Sequence, residues 1–178
     1  MEKLEKQDCP FCYEKKLTLT QEEIEIPYFG KTFIFGMQCF GCNYNESDVE
    51  AEEPKEPTRY TIEINNEEDM KIRVVKSSQA IVKVPTLRME VKPGTISEGY
   101  VSNVEGVLDK FKKIIEDQRD LTDDGDVRKN AKNLLKKLWK VKLGDISVKI
   151  VIEDPSGNSA IISNKAKIEK LKIKILKE

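Results

Sequence analysis

The chain has 178 residues, of which 38% are hydrophobic and 35% charged, and its formal net charge is −1. The hydrophobic share is large enough for a folded core, and the charged share exceeds the roughly 25% typical of globular domains. No run of the sequence approaches the ~20 apolar residues of a membrane helix. Histidine is absent, which excludes the commonest general base and any mixed Cys/His metal site. Because residues 1–6 lack the apolar core of a signal peptide, we expect a soluble, cytoplasmic protein with no membrane partner.

The four cysteines all occur within the first 42 positions. They form two C-x2-C pairs, Cys9 with Cys12 and Cys39 with Cys42, separated by 26 residues. Each such turn lets two thiolates bind one metal ion, and two facing turns complete a tetrahedron, as in a zinc ribbon. We predict one zinc ion bound by these four cysteines, and the ion is structural because four protein ligands leave no open coordination position.

Two disulfides, four free thiols or a redox pair are the alternatives for these cysteines. Disulfides are rare in proteins that are not exported, and a redox C-x-x-C pair begins a helix after a strand, which neither pair is predicted to do. Within the turns, Pro10 fixes one φ angle and Asn43 tolerates the left-handed conformation. Tyr13 occupies a position that glycine fills more easily, which predicts a slightly irregular first turn.

Between the cysteine turns the sequence predicts a hairpin. Apolar residues alternate over 24–28 and 33–37, which predicts two strands joined by a turn at 29–31. Pro27 indicates that the first is an edge strand. Tyr28 and Phe29 lie near the tip of this hairpin and are candidate partner-contact residues, with packing in the ribbon core as the alternative.

We divide the chain into a zinc ribbon at 1–47, an acidic, proline-containing linker at 48–58 and a β-rich domain at 59–178. Alternating apolar residues in the third part predict strands at 60–64, 70–74, 81–84, 87–91, 146–152, 161–162 and 171–175. Helical periodicity predicts a pair of helices at about 103–120 and 126–142. The first begins at a capping box formed by Ser102 and Glu105, and the second ends at Leu143-Gly144. The predicted fold class is mainly β with a helical hairpin.

The sequence contains no residue set typical of an active site. The segment after Asp120 resembles a calcium loop, but Ala131 stands where a bidentate glutamate is required. Ser156 has no histidine to activate it, and no glycine-rich phosphate loop occurs. We therefore predict no catalytic residues, no enzymatic activity and no small-molecule substrate.

Several motifs, in chain order, resemble the ZPR zinc-finger family. They are the two cysteine turns with Ile26-Pro-Tyr-Phe29 between them, Arg73-Val-Val-Lys-Ser77, Val84-Pro85, Leu87-x-Met-Glu-Val91, Pro93-Gly94, Asn103-Val-Glu-Gly106 and Asp154-Pro-Ser-Gly-Asn-Ser159. The resemblance covers nearly the whole chain. Eukaryotic members of the family carry two copies of the module, and this single copy resembles the shorter archaeal members. Asn43 stands where the family commonly has glycine.

The resemblance implies a zinc ribbon like that of an initiation-factor beta subunit. It implies that a double-stranded β-helix, or jelly-roll-like barrel, with a helical hairpin follows the ribbon. The better-known eukaryotic members bind translation elongation factor one-alpha, assist its folding and also bind a receptor tyrosine kinase. Because a single-module, microbial-type protein would not meet that kinase, the elongation factor is the partner that the resemblance implies here.

Two function classes remain, and the distribution of charge separates them. Residues 1–60 carry 13 acidic and 7 basic side chains, a net of −6, whereas residues 108–178 carry 12 acidic and 18 basic side chains, a net of +6. A ribbon that binds nucleic acid presents a Lys/Arg stripe to the phosphates, and this ribbon is acidic. We therefore expect a protein-binding module, a folding factor or adaptor for the elongation factor one-alpha GTPase, with a nucleic-acid-binding ribbon in translation or transcription as the alternative.

Overall fold

The computed structural model describes residues 1–26, 29–52, 55–94 and 97–172. The described strands are Glu2–Gln7 (β1), Leu17–Ile26 (β2), Gly30–Cys39 (β3), Asn45–Ala51 (β4), Thr58–Ile64 (β5), Arg73–Lys76 (β6), Ile81–Val84 (β7), Met89–Val91 (β8), Tyr100–Asn103 (β9), Val148–Asp154 (β10), Ala160–Ile162 (β11) and Lys167–Lys170 (β12). The helices are Val104–Leu121 (α1) and Gly125–Lys142 (α2). The fold is mainly β, as predicted, with one helical pair inserted between β9 and β10.

The first four strands form an antiparallel sheet in the order β1-β2-β3-β4. The predicted hairpin is its centre, with Ile26 opposite Gly30 at one end and Leu17 opposite Cys39 at the other. This register places both cysteine turns at the same end of the sheet. Below, this four-stranded sheet with its two cysteine turns is called the ribbon.

The outer strands of the ribbon differ from the sequence-based expectation. Every residue of β1 is exposed, so this strand has no apolar face for a periodicity argument to detect. β4 continues to Ala51 and occupies the start of the predicted linker at 48–58. The strand predicted at 24–28 begins earlier, at Leu17, and its added part, Leu17–Gln21, pairs with both β1 and β3. Beyond Gln21 its described partner is β3 alone.

The C-terminal half contains a five-stranded sheet in the order β12-β5-β10-β7-β8 and a three-stranded sheet in the order β11-β6-β9. β10 lies at the centre of the larger sheet, where Ile150 pairs with Ile62 and Ile152 with Val82. These side chains are almost fully buried and belong to one large apolar core. The alternation that predicted the strands therefore reports which residues face that core.

The two helices lie within one residue of the predicted ranges at each end. α1 packs against the large core through its buried face, which includes Val107 and Phe111, and α2 packs mainly on α1. The first turn of α1 is capped by Asn103, whose side chain accepts a hydrogen bond from the backbone N–H of Gly106, so the predicted cap at Ser102 is one residue early. No helix in the described part of the chain has an apolar stretch long enough to span a membrane.

Two predicted strand segments are partly helical. Glu67–Lys71 forms a 3₁₀ turn that buries Met70, and the strand begins only at Arg73. The turn is favoured locally because the side chain of Asn66 accepts from the backbone N–H of Asp69, an arrangement that competes with extended structure. A second 3₁₀ turn covers Pro85–Leu87, where proline fixes φ. Of the last predicted strand, at 171–175, positions 173–175 lie outside the described residues.

The ribbon packs directly on the C-terminal half. Gly99 donates from its backbone N–H to the carbonyl oxygen of Ser47, 2.8 Å away, and accepts from the Ser47 hydroxyl at 2.9 Å. A Cβ atom at residue 99 would lie 2.8 Å from the backbone nitrogen of Val49, so this approach requires glycine. Asp48 accepts from the backbone N–H and the hydroxyl of Ser78, at 2.8 and 2.6 Å. The division of the chain at 48–58 stays a prediction. The first residues of that range belong to β4, which packs on the C-terminal half.

Candidate metal centre

Each cysteine pair lies on a short backbone loop that is closed by hydrogen bonds. In the first loop the Cys9 N–H donates to the carbonyl oxygen of Glu14 at 3.0 Å, and the Tyr13 N–H donates to the carbonyl oxygen of Cys9 at 2.9 Å. In the second loop the Cys39 N–H donates to the carbonyl oxygen of Tyr44 at 2.8 Å. These bonds set the shape of each loop and thereby the positions of its two thiols.

The residue after each C-x2-C pair has a left-handed backbone, with a φ of 60° at Tyr13 and 59° at Asn43. This conformation lets the chain reverse and returns backbone N–H groups toward the sulfurs. In the second loop the Gly41 N–H donates to the Cys39 sulfur at 3.3 Å. The expectation for Asn43 is confirmed. Tyr13 adopts the same conformation without the side-chain advantage of asparagine or glycine.

The four sulfur atoms converge on one point. All four lie within 4.8 Å of one another, and the Cys9–Cys42 and Cys12–Cys39 sulfur pairs are both 3.7 Å apart. A disulfide requires about 2.05 Å, so these separations exclude disulfides in this conformation. Sulfurs at the corners of a tetrahedron with metal–sulfur bonds of about 2.3 Å lie about 3.8 Å apart. The donor set and its dimensions therefore fit a tetrahedral metal ion.

Four thiols this close cannot ionise independently. Backbone N–H groups of Cys42 and Gly41 stabilise the thiolate of Cys39 and lower its pKa to about 7. The backbone N–H of Glu14 has the same effect at Cys12, but burial and hydrogen bonds with the neighbouring sulfurs outweigh it and raise the pKa of Cys12 to about 12. The thiols thus share protons with one another. A bound cation replaces those protons and stabilises all four thiolates together.

A small apolar cluster lies beneath the sulfurs. Cys9, Cys39 and Leu17 are buried in it, and Tyr44 packs against them. The ring of Phe11 covers Tyr44 at a centroid distance of 4.4 Å. The cluster has only three buried members, too few to hold the loops by apolar burial alone. Four protein ligands also fill a tetrahedral shell, so an ion held here has a structural role.

Phe29, one of the two predicted partner-contact residues, is not exposed. Tyr28 lies outside the described residues. Phe29 is only 8% exposed and packs in a second core with Ile26 and Val49 of the ribbon and Val75 and Ala160 of the C-terminal half. The prediction that Phe29 is an exposed partner contact is therefore wrong. Its ring packs in a core that joins the two halves of the molecule. Local periodicity does not indicate this burial, because the C-terminal members of the core, Val75 and Ala160, are 46 and 131 positions further along the chain.

The apolar surface of the ribbon lies elsewhere. Phe11, Tyr13 and Phe40 on the cysteine turns are 62 to 81% exposed. On one face of the sheet a cleft of 380 Å³ is lined by apolar side chains of three strands, with Glu2 and Gln21 at its side. Its apolar residues are Leu4, Leu19, Phe35 and Met37. Sequence reasoning missed this cleft because it depends on β1, whose pairing with β2 brings Leu4 opposite Leu19.

Ser156, the hydroxyl considered as a nucleophile, belongs to a buried structural network. The Asp154 carboxylate is fully buried and accepts from the hydroxyls of Ser156, Ser77 and Ser159, at 2.7, 2.8 and 2.5 Å. It also accepts from the backbone N–H of Ser156 at 2.8 Å. These groups satisfy one another and hold the turn after β10 against β6.

The comparison with known proteins matches residues 68–177 to the family model described as the ZPR1 jelly-roll domain. The chain is also 38% identical to an uncharacterized ZPR1-like protein of Methanocaldococcus jannaschii, over 97% of this chain and 91% of that protein. The chain belongs to the ZPR1 family. The resemblance inferred from the motifs is thereby confirmed, as is the fold of a jelly-roll domain that follows an N-terminal cluster of four cysteines.

Other ZPR1 relatives extend this picture. An uncharacterized ZPR1-like protein of Pyrococcus horikoshii is 38% identical over 92% of this chain and 75% of its own length. The protein named zinc finger chaperone zpr1 in Schizosaccharomyces pombe is 28% identical over 76% of this chain. The match spans only 30% of that longer protein, so the chain corresponds to one part of the eukaryotic relative.

Proposed function

We propose that Cys9, Cys12, Cys39 and Cys42 bind one zinc ion. The support is the all-sulfur donor set, the 3.7 Å sulfur separations and the zinc finger names of the eukaryotic relatives. The ion cross-links the two cysteine turns and supplies the stability that their small apolar cluster lacks. Its role is to hold the ribbon in shape, because four cysteine ligands leave no coordination position open for a substrate.

We further propose that the protein is a non-catalytic folding factor or adaptor for the elongation factor one-alpha GTPase and acts in the cytoplasm. The observation that carries this proposal is the membership of the whole chain in a family whose Schizosaccharomyces pombe member is named a zinc finger chaperone. A folding factor must hold exposed apolar surface of a client without changing it chemically. A closed four-thiolate centre and a buried, mutually satisfied serine network suit that task.

The cleft on the ribbon is the client surface that we propose in place of Tyr28 and Phe29. Leu4 is 61% exposed there, next to the partly buried Phe35 and Met37. On the same face of the sheet, β4 places Glu46 opposite Met37 and Glu50 opposite Phe33, while Asp48 between them accepts from Ser78 of the C-terminal half. The cleft is therefore an apolar strip with the carboxylates of Glu46 and Glu50 on the neighbouring strand, which favours a client segment with apolar and basic side chains.

A nucleic-acid-binding ribbon is the second candidate, and one observation favours it. The exposed rings of Phe11, Tyr13 and Phe40 lie on the two cysteine turns, where unpaired bases can stack on aromatic side chains. The acidic character of the ribbon opposes this function because the phosphates of a bound strand would meet carboxylates.

The proposal is tested with purified elongation factor one-alpha in its nucleotide-free, GDP-bound and GTP-bound states. We expect Leu4→Ser and Phe35→Ser together to weaken binding by about tenfold or more, since a few apolar anchors carry most interface energy. Ile168→Ser is the matched control, because Ile168 is 60% exposed on β12, outside the cleft. Binding to single-stranded RNA that weakens with salt, together with no affinity for the elongation factor, would overturn the proposal in favour of the second candidate.

A further inference from the structure

A second cavity lies in the C-terminal half, between α1 and strands β7 to β9. Its volume is 400 Å³, within the range of ligand sites in proteins. The apolar part of its lining comes from Val82 and Val91 of the sheet and from Val107, Phe111 and Ile114 of α1. This cavity shares no lining residue with the cleft on the ribbon, so the inference below is independent of the proposed function.

Lysines surround this apolar lining. Lys76, Lys92, Lys110 and Lys113 line the cavity, against two carboxylates, Glu98 and Asp117. In the described part of the chain, none of these four lysines makes an ion pair, whereas many other lysines do. Because unpaired ammonium groups repel one another, their convergence on one cavity indicates a site for a negative charge.

Lys76 is the most deeply buried of these four lysines. Lys76 is only 5% exposed, and its ammonium donates to the carbonyl oxygens of Ser77 and Glu98, at 2.9 and 3.2 Å. An ammonium has three N–H donors, and described residues accept from two of them. Lys76 is therefore a buried ammonium that the carboxylates of Asp48, Asp154 and Glu98 already attract, and the exposed Lys110 and Lys113 at the rim are the charges that a ligand would meet first.

Tyr100 limits which kind of anion the cavity can accept. Its ring lies 4.3 Å from the Lys110 ammonium and 5.6 Å from that of Lys76, so lysines already occupy positions over it. A base of a nucleic acid would have to displace them to stack. Apart from Tyr100, the only aromatic residue among the described lining residues is Phe111, which is 4% exposed and offers a base no open aromatic face.

We propose that this cavity binds an acidic segment of a partner protein, with one apolar side chain of the segment inserted among Val82, Val91 and Ile114. Carboxylates on either side of the inserted side chain pair with the lysines of the rim. The apolar lining gives affinity for the side chain, and the lysines, which are point charges on flexible stems, accept carboxylates without demanding a fixed geometry. The charge and the apolar lining act together, which distinguishes the site from a merely basic surface.

The test uses a fluorescein-labelled peptide with one central leucine between runs of glutamate, titrated into the full chain and followed by anisotropy. We expect Lys110→Gln with Lys113→Gln to weaken binding by about tenfold, the effect of two partly exposed ion pairs. Lys132→Gln with Lys136→Gln on α2 is the matched control, because these exposed lysines lie outside the cavity, and binding should change by less than about twofold.

A separate experiment tests the contribution of the apolar lining. Ile114 is 48% exposed, so Ile114→Ser should leave the fold intact, weaken the leucine peptide several-fold and leave a peptide with central alanine unaffected. Equal binding of the leucine and alanine peptides to the unaltered protein would overturn the proposal, as would an equal loss in the α2 control. Stronger binding of single-stranded RNA than of the peptide, abolished by the Lys110 and Lys113 changes, would likewise overturn it.

Discussion

Tyr13 and Asn43 occupy equivalent positions after the two cysteine turns, and their backbones are equally left-handed. Such a backbone costs an ordinary residue roughly 1–2 kcal/mol, and asparagine pays less because its short side chain bonds locally. Tyr13 is 81% exposed, so its ring gains little packing energy in return. The first turn therefore stores strain that the second does not. The loop hydrogen bonds and, in our proposal, the bound zinc ion oppose this strain.

Tyr13→Gly should relieve this strain and increase the affinity for zinc several-fold, corresponding to about 1 kcal/mol. Zinc affinity reports on the turn because metal binding and folding of the ribbon are linked. Competition with a chromophoric chelator measures the change. Tyr13→Ala is the control, since it removes the ring and keeps the left-handed cost. If the glycine and alanine variants bind zinc equally well, the backbone conformation is not the source of the effect.

The elements show how far local sequence signals extend. α1 and α2 were predictable because each has a cap, a polar connection and apolar residues at helical spacing. Their buried faces are nevertheless narrower than the spacing of the apolar residues indicates. Ile114 and Trp139 carry the helical period but are 48 and 64% exposed, because the helices pack on only one side. Met70 carries the period of a strand but lies in a 3₁₀ turn, since the Asn66 side chain caps it.

The start of α1 gives a direct comparison of two candidate caps. Asn103→Ala should lower the free energy of unfolding by about 1 kcal/mol, because it removes the acceptor for the Gly106 N–H. Ser102→Ala should change it by less than about 0.5 kcal/mol, because the Asn103 side chain already satisfies that donor. Urea denaturation at constant m-value measures both. A larger loss for Ser102→Ala would restore the capping box that the sequence alone indicates.

At the scale of the molecule, the ribbon and the C-terminal half share a core. Ile26, Phe29 and Val49 meet Val75 and Ala160 at the end of the ribbon opposite the cysteines. In our proposal the ribbon thus has two separate sources of stability: a metal ion bound by the cysteines at one end and this shared core at the other. Its acidic strands and the basic cavity beside α1 also lie in different halves, which gives the molecule two surfaces of opposite charge.

Removal of zinc should therefore unfold one end of the ribbon and leave the other in place. In Cys39→Ser, or with chelator, we expect hydrogen-exchange protection to be lost around 9–17 and 38–45 and kept around Val49 and in β10. The cooperative melt of the C-terminal half should persist, because its core contains no metal ligand. Loss of protection at Val49 together with β10 would show that the ribbon and the jelly-roll domain unfold as one unit.

The sequence by itself determined the cluster of four cysteines, the two helices and most strands that line the large core. Each is set by spacing within a few residues: two C-x2-C pairs, a helical period or an alternation. Tertiary structure alone decided that Phe29 is buried, that β1 and β4 complete the ribbon, and that Lys76 and Lys110 converge on one cavity. These features depend on contacts between residues far apart in the chain, and local periodicity carries no information about which distant surface will cover a side chain.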